Sequence, residues 1–599
     1  MGRSNCAELL RASGFRLSRG KALTSSEIKL ARVIFSVSES AKQLKRIRGI
    51  DPLLVGALSL AFLFCLHGIT WGRVECWNPD QMALRGLRAL RPPNYMKPPF
   101  HTYLNHAFVV WPVTAVLKIA QVPTEKTKIA NSAKLVGSRL LTTALYLGTV
   151  ALAYNIGCRF YGRFSAAVIG FVLATSAGFI AYAHFLTADS PLLFWMLAAF
   201  WFAQQVTFAP NPWNYGIAGF LTGIATATKY NGLAVGIALV VAHLFVTRHE
   251  SVRRIILSRQ LGIGLVMVPV GFIFGCPTAL YEPRKFWLDF IYNYTVTPRY
   301  GGQPDRTAYL AALGRVPEIV GIPGAVLIIT LTILSCLLIV KRRDLTNAAT
   351  RGYILSGAVF LLYISKMGAF PRTVTRFVLP AIPFLILMIG PALQTVEKRK
   401  WCRRCVIALL LPLLIYNCIC SYLVGKRFND DPRLTAQRWM IKNVPHGSII
   451  ESSNNSPHWS SLPNFDAREI NLGLAHRRGA SEGETTDLRL PHVSGRAELF
   501  RKILPEWVQP YAVEKEKNPD EGLFTAAALQ KRDPDYISVY SWNYQVPSQT
   551  VRRYYGDLLA GKFPYVIVFD AETARVPAWI YPRSIDFLAG RITIFQRKN

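Results

Sequence analysis

Asp80 stands alone as an acidic residue in Trp77-Asn78-Pro79-Asp80-Gln81, followed by Ala83-Leu84-Arg85-Gly86 and by Asn94-Tyr95-Met96-Lys97-Pro98-Pro99-Phe100. A carboxylate, an arginine about a helical turn or two later and a lysine stiffened by two prolines are parts that suit transfer from a phosphate-linked donor. The carboxylate can orient an attacking hydroxyl or accept its proton, while the cations offset charge growing on the departing phosphate. A positioned base typically contributes roughly 10²–10⁴-fold. Further candidates are Asp189, Lys229, Arg372, Arg376 and the pair Arg299-Tyr300. Each also has a structural reading. Asp80 after Pro79 suits the N-cap of an amphipathic Met82–Leu90 segment, and Asp189 above Ser190-Pro191 suits a helix cap. Lys97 and Lys229 suit contact with lipid headgroups, and Arg372 and Arg376 suit interfacial anchoring. His184, near Thr187 and Asp189 in sequence, reads first as a structurally satisfied imidazole.

These residues must be positioned by a membrane scaffold. Of 599 residues, 51% are hydrophobic and 17% charged, with a mean hydropathy of +0.24, which excludes both a disordered chain and an ordinary soluble globule. About eleven stretches approach the roughly 20 apolar residues that span a bilayer: 52–72, 135–157, 164–185, 190–206, 213–229, 231–247, 257–277, 319–340, 351–367, 377–396 and 405–425. Residues 1–50 are polar and basic and lack an apolar h-region, so the first span is expected to act as an uncleaved anchor. The expected organisation is a basic cytoplasmic segment 1–50, a transmembrane domain 51–425 and an external domain 426–599.

The net charge of +34, from 69 basic and 35 acidic residues, would alone suggest nucleic acid or an anionic membrane surface. Residues 426–599 hold 24 basic and 20 acidic residues, so the excess belongs to the apolar part. Dispersal of the basic residues over loops on both faces argues against nucleic acid. With the N-terminus inside, the even connections are cytoplasmic and carry Arg253 and Arg254, Lys341 to Arg343, and Lys398 to Lys400, as the positive-inside rule requires. Basic residues in the external loops, around 73–134, 284–315 and 366–376, are the exception. Anionic headgroups explain some of them, and the phosphate of a lipid-linked substrate is the sharper explanation.

The tail changes character. Runs at Ser448–Ser452, Tyr536–Tyr540, Tyr565–Phe569 and Ile592–Phe595 read as strands, and Asp431-Pro432 opens a helix over Leu434–Asn443. The reading is a small α/β domain without cysteine. The ten cysteines lie elsewhere, five within expected spans as packing residues, and the Cys402/Cys405 pair lacks partners for zinc.

Asp80 with Lys97-Pro98-Pro99 resembles the first external loop of the GT-C glycosyltransferases, in the branch of protein O-mannosyltransferases and the lipid A aminoarabinose transferase. In order, Phe185-Leu186-Thr187-Ala188-Asp189-Ser190-Pro191 resembles that family's second acidic motif. Gly223-Ile224-Ala225-Thr226-Ala227-Thr228-Lys229-Tyr230 is similar to its Thr-Lys stretch. Counterparts also exist for Pro277-Thr278-Ala279-Leu280-Tyr281-Glu282-Pro283 and for Arg376-Phe377-Val378-Leu379-Pro380, and Thr435 to Gly447 resembles the opening helix of the external domain in bacterial members. Gln81 departs from the family's usual Asp-Glu pair.

The resemblance implies a GT-C-like bundle with Asp80 and Asp189 in catalytic roles. Lys97, Arg85, Lys229, Arg299, Tyr300, Arg372 and Arg376 would grip the donor phosphate. It implies no catalytic metal and no cofactor, a polyprenyl-phosphate sugar as donor, and an exported lipid, glycan or protein as acceptor at the outer face of the inner membrane. The alternative from another class is a lipid-linked-substrate transporter or a non-catalytic binder. Transporters show inverted repeats or deep ionisable residues, and the sequence offers no clear repeat and few such residues.

Overall fold

The computed structural model describes residues 51–72, 95, 97–121, 128–295, 308–368, 374–452, 468–471, 521–541, 548–573 and 590–598. The chain divides into two compact units, residues 1–56 and 57–599. Of the first, only residues 51–56 are described. They open the helix Pro52–Leu66, where the Asp51 side chain accepts from the Leu53 N–H.

All eleven apolar stretches are helical. Among the described residues, eight helices are long and apolar enough to cross a membrane, and a ninth results if Arg163–Thr175 and Ala177–Ala183, bent by 56°, form one span. The other two stretches correspond to Pro52–Leu66, with 15 residues, and Pro212–Thr228, with 17. Both are shorter than the roughly 20 residues of a full span. The chain is therefore a multi-pass membrane protein, a mostly helical bundle followed by a small α/β region. Helix Ile322–Arg342 presents Val326, Ile333 and Leu337 outward, as a lipid-facing surface does.

Between apolar helices in lipid, close packing replaces the hydrophobic effect, and small residues set the approach. Pro212–Thr228 lies against Arg259–Gly275 in this way. A Cβ on Gly219 would stand 1.9 Å from the Gly264 carbonyl oxygen, and one on Gly271 would stand 2.1 Å from that of Phe220. This contact fixes the height at which Lys229 leaves the first of these helices.

The C-terminal region forms one five-stranded sheet in the order β2-β1-β3-β5-β4, with β1 Ile449–Ser452, β2 Arg468–Asn471, β3 Tyr536–Tyr540, β4 Tyr565–Glu572 and β5 Arg591–Arg597. The four expected strands are present. The fifth, β2, escaped sequence reading because Arg-Glu-Ile-Asn lacks a β-rich run. β1 pairs in parallel with β2 and β3, while β5 runs antiparallel between β3 and β4.

Alternation along β3 sends Tyr536 and Tyr540 to one side and Ile537 and Val539 to the other. The first side packs Ala436 and Met440 of the helix Pro432–Asn443. The second packs Val551, Tyr555 and Leu558 of Gln549–Leu559. As expected from the Asp431-Pro432 signal, Asp431 caps the first of these helices by accepting from the Arg433 N–H at 2.9 Å.

On β1, Glu451 is fully buried and accepts from Arg532 Nε and the Tyr554 hydroxyl, each at 2.7 Å. Removing one partner from such a pair leaves an uncompensated buried charge, which costs about 3–5 kcal/mol. Arg532→Ala is expected to lower the unfolding transition of the C-terminal region by that amount. The check is differential amide exchange on the full-length protein in detergent, in which Lys562→Ala, an exposed partner of Asp557, shifts nothing.

Candidate functional site

Helix Pro212–Thr228 stops at Lys229, whose backbone is extended at φ −159° and ψ 131°, and the chain resumes as a 3₁₀ helix over Tyr230–Val235. The break releases the lysine side chain sideways from the bundle. It meets Asp189, the first residue of helix Asp189–Phe208, with Nζ at 2.5 Å from Oδ1. Asp189 is buried while Lys229 stays partly open. The Asp189 carboxylate thus serves a cation from a neighbouring helix.

A second helix break supplies the next cation. Thr375–Val378 and the 3₁₀ turn Leu379–Ala381 precede the buried helix Ile382–Leu387, and Arg376 and Phe377 sit in that first turn. The Phe377 ring carries the Arg376 guanidinium at 5.3 Å and the Lys229 ammonium at 5.4 Å from its centroid. One aromatic ring attracts both cations. The turn itself is anchored from outside: the Thr375 hydroxyl donates to Glu318, which also accepts from Arg315 Nη1 at 2.6 Å. The Tyr182 hydroxyl meets the Arg376 main chain.

Lys97 arrives from the loop that follows the first helix. Its neighbour Tyr95 is fully buried and acts as a peg. The Tyr95 N–H donates to Asp289 at 2.8 Å, its hydroxyl donates to Glu282 at 2.8 Å, and its carbonyl accepts from the Tyr230 hydroxyl at 2.7 Å. Pro98 and Pro99 are buried, and helix Phe100–Asn105 starts immediately after them, with Phe100 edge-on to Trp195 at 5.5 Å. Lys97 itself remains open to solvent yet closely surrounded, as in a recess. Desolvation lowers its pKa from the ordinary 10.5, and the negative charge of Asp189 opposes that shift.

The structure therefore brings together Lys97, Asp189, Lys229 and Arg376, four residues spread over 280 positions of sequence. Lys229 pairs with Asp189, Lys97 feels the charge of that carboxylate, and Arg376 shares the Phe377 ring with Lys229. Cations of this kind beside an apolar bundle are complementary to a phosphate carrying a hydrophobic tail. Asp80, Arg85, Arg299, Tyr300 and Arg372 lie outside the described residues. His184 has the structural role its position suggested, with its ring nitrogens 2.8 Å and 2.9 Å from the carbonyls of Ile180 and His67.

Tyr95, Tyr230, Glu282, Asp289, Glu318 and Phe377 were missed as parts of the site. Tyr95, Tyr230, Glu282 and Phe377 stand within the quoted motifs, so proximity to candidate cations was the available signal. Glu318 and Asp289 had none, since only folding places them near Thr375 and Tyr95.

Residues 125–273 match the family described as dolichyl-phosphate-mannose-protein mannosyltransferase. The matched stretch contains both members of the Asp189–Lys229 pair. It bears out the GT-C resemblance drawn from the motifs. No protein of curated function matches by sequence. Among solved structures, ArnT from Cupriavidus metallidurans bound to undecaprenyl phosphate is similar, with 14% identity, a TM-score of 0.47 and coverage of 91% of this chain and 98% of that one. The oligosaccharyltransferase AglB from Archaeoglobus fulgidus, in complex with an inhibitory peptide and a dolichol-phosphate, gives 12% identity, a TM-score of 0.43 and coverage of 87% and 72%.

Two outcomes are expected. Because the Lys97 pKa is lowered, its charge is lost earlier than an ordinary lysine's as pH rises. Affinity for a phosphate carrying a long apolar tail, in detergent, should fall with rising pH below 10.5, whereas Lys97→Arg should hold its affinity to higher pH. Glu318→Gln, which keeps the shape but weakens the grip on Thr375 and Arg315, should reduce that affinity about 5–30-fold, as loss of a charged hydrogen bond of roughly 1–2 kcal/mol would. Titration of the purified variants by intrinsic fluorescence measures both.

Proposed function

We propose that this protein transfers a single sugar, with inversion, from a polyprenyl-phosphate donor to an exported lipid, glycan or protein acceptor. The transfer takes place at the outer face of the inner membrane, with the N-terminus cytoplasmic and residues 426–599 external. The observation that carries the reading is the set of three cations: Lys229 paired with Asp189, Arg376 sharing the Phe377 ring with Lys229, and Lys97 within the field of Asp189. The match of residues 125–273 to dolichyl-phosphate-mannose-protein mannosyltransferases supports the same donor class.

In the proposed reaction an acceptor oxygen attacks the anomeric carbon, and the bond from that carbon to the phosphate oxygen breaks. The acceptor's proton passes to Asp80, and polyprenyl phosphate leaves as the anion. Lys97, Lys229 and Arg376 offset the charge developing on that phosphate, and Asp189 fixes the direction of Lys229. Arg85, Arg299, Tyr300 and Arg372 are assigned to the same phosphate, and the isoprenoid chain to a groove between spans. The scheme uses no cofactor or metal.

Mass analysis of envelope lipids, glycans and proteins after deletion of the gene should reveal one species lacking one sugar, which names donor and acceptor together. Asp80→Asn, expressed in the deletion background, should lower restoration of that species at least 100-fold at equal protein level, the scale of a lost general base. Full restoration by Asp80→Asn would eliminate the assignment and favour transport of a lipid-linked substrate.

A further inference from the structure

The external end of the first helix is held by a set of buried charges that the reading above does not use. Trp71 is buried, and its indole Nε1–H donates to Asp431 Oδ2 at 2.8 Å. Asp431 is fully enclosed and is shared. Arg433 reaches both of its oxygens, Nε to Oδ1 at 2.9 Å and Nη2 to Oδ2 at 2.6 Å, and the same carboxylate caps the helix Pro432–Asn443. On the main-chain side, Arg139 of helix Lys128–Tyr161 donates Nη1 to the carbonyls of Ile69 and Trp71, the former at 2.7 Å. The guanidinium groups of Arg139 and Arg433 stand 5.3 Å and 5.6 Å from the Trp71 ring. Arg433 also lies 5.5 Å from the ring of Tyr540, on β3.

Backbone packing removes the remaining freedom. Gly68 has φ +91°, and a Cβ there would stand 2.7 Å from Phe428 Cβ and 2.8 Å from the Gly425 carbonyl oxygen. Phe428 stacks on His184 and meets Trp71 edge-on. Four segments therefore converge on residues 67–72: the last helix of the bundle, helix Lys128–Tyr161, the bend near His184, and the opening turn of the C-terminal region.

A tryptophan serves as an apolar plug in many places. What needs explanation here is that its N–H is spent on a carboxylate already satisfied by an arginine and by a helix N-terminus. Arg433 and the Arg433 N–H hold Asp431 without Trp71, so the stability of the C-terminal helix does not require the indole bond. The bond instead fixes Trp71, whose carbonyl is fixed by Arg139 as well. Gly72 follows, and eight residues beyond it the sequence reaches Asp80.

We infer that Trp71, through its indole bond to Asp431, is a positioning residue for the sugar transfer, holding the stem of the first external loop in register with the C-terminal region. The inference rests on the proposed glycosyltransferase reading. Its physical basis is that misplacement of a reacting group by about 1 Å costs on the order of 10²-fold in rate without any change in the chemistry. A loop stem tied to the first helix of the external region also means that whatever strains that region, including a bound acceptor, is felt at the stem.

The test compares full-length Trp71→Phe and Trp71→His in the deletion background. Phenylalanine keeps an apolar ring and loses the donor. Histidine is smaller and more polar, but its Nε2 lies as many bonds from Cγ as the indole Nε1 and can restore the bond. Binding of undecaprenyl phosphate by each purified protein is read beside restoration of the missing envelope species at matched protein levels. The expected result is undecaprenyl phosphate affinity within about twofold of wild type for both, with transfer lowered roughly tenfold or more in Trp71→Phe and less in Trp71→His. If Trp71→Phe transfers as well as Trp71→His, the residue is packing alone and the inference falls. Equal losses of binding and transfer in the two variants overturn it as well, since the joint would then merely hold the fold. Failure of the underlying reading has a different signature: Asp80→Asn would restore the missing species fully, or the wild-type protein would not bind undecaprenyl phosphate, whatever stands at position 71.

Discussion

A charge at the end of a membrane helix has to be met by water, by a headgroup or by an opposite charge. The Asp189–Lys229 pair is where this constraint organises the protein. Burial alone would disfavour the Asp189 carboxylate, and the lysine that offsets it comes from a helix that stops for that purpose. The pair consumes one cation. Phe377 then carries two cations on one ring, and Lys97 approaches from the loop side, so among the described residues more than one cation stands near that carboxylate. A buried ion pair is weak evidence for stability. Its weight here is geometric, since it fixes the direction of Lys229 and leaves room for an anion.

The other buried and half-buried carboxylates act as joints. Asp289 and Glu282 hold Tyr95, and with it the placement of Lys97. Glu318 holds Thr375 and thereby Arg376. Asp431 unites the end of the first helix with the C-terminal region, and Glu451 closes the core beneath β1. In each case an acidic side chain accepts from at least one donor far from it in sequence, and Glu451 accepts from two. Lys97, Lys229 and Arg376 thus reach the candidate site, while Asp189, Glu282, Asp289 and Glu318 help set where they stand.

The hydropathy of residues 51–425 determined a multi-pass helical bundle, because a stretch of apolar residues has few alternatives in lipid. Short β-branched runs and the Asp431-Pro432 signal determined the α/β nature of the tail. Spacing also marked Lys97, Asp189, Lys229 and Arg376, since prolines and helix-end motifs are local. The sequence could not reveal that Lys229 turns to Asp189, that one phenylalanine serves two cations, or that Glu318 anchors Arg376. Those contacts join residues 40 to 57 positions apart or sit on a helix break whose angle depends on packing. Nor could it show that Trp71 meets Asp431, 360 residues away. Residue type and local spacing record what a side chain can do. Which partner it meets is decided by close packing of glycine-lined helices and by the need of each buried charge for a counter-charge, and both exist only in the folded chain.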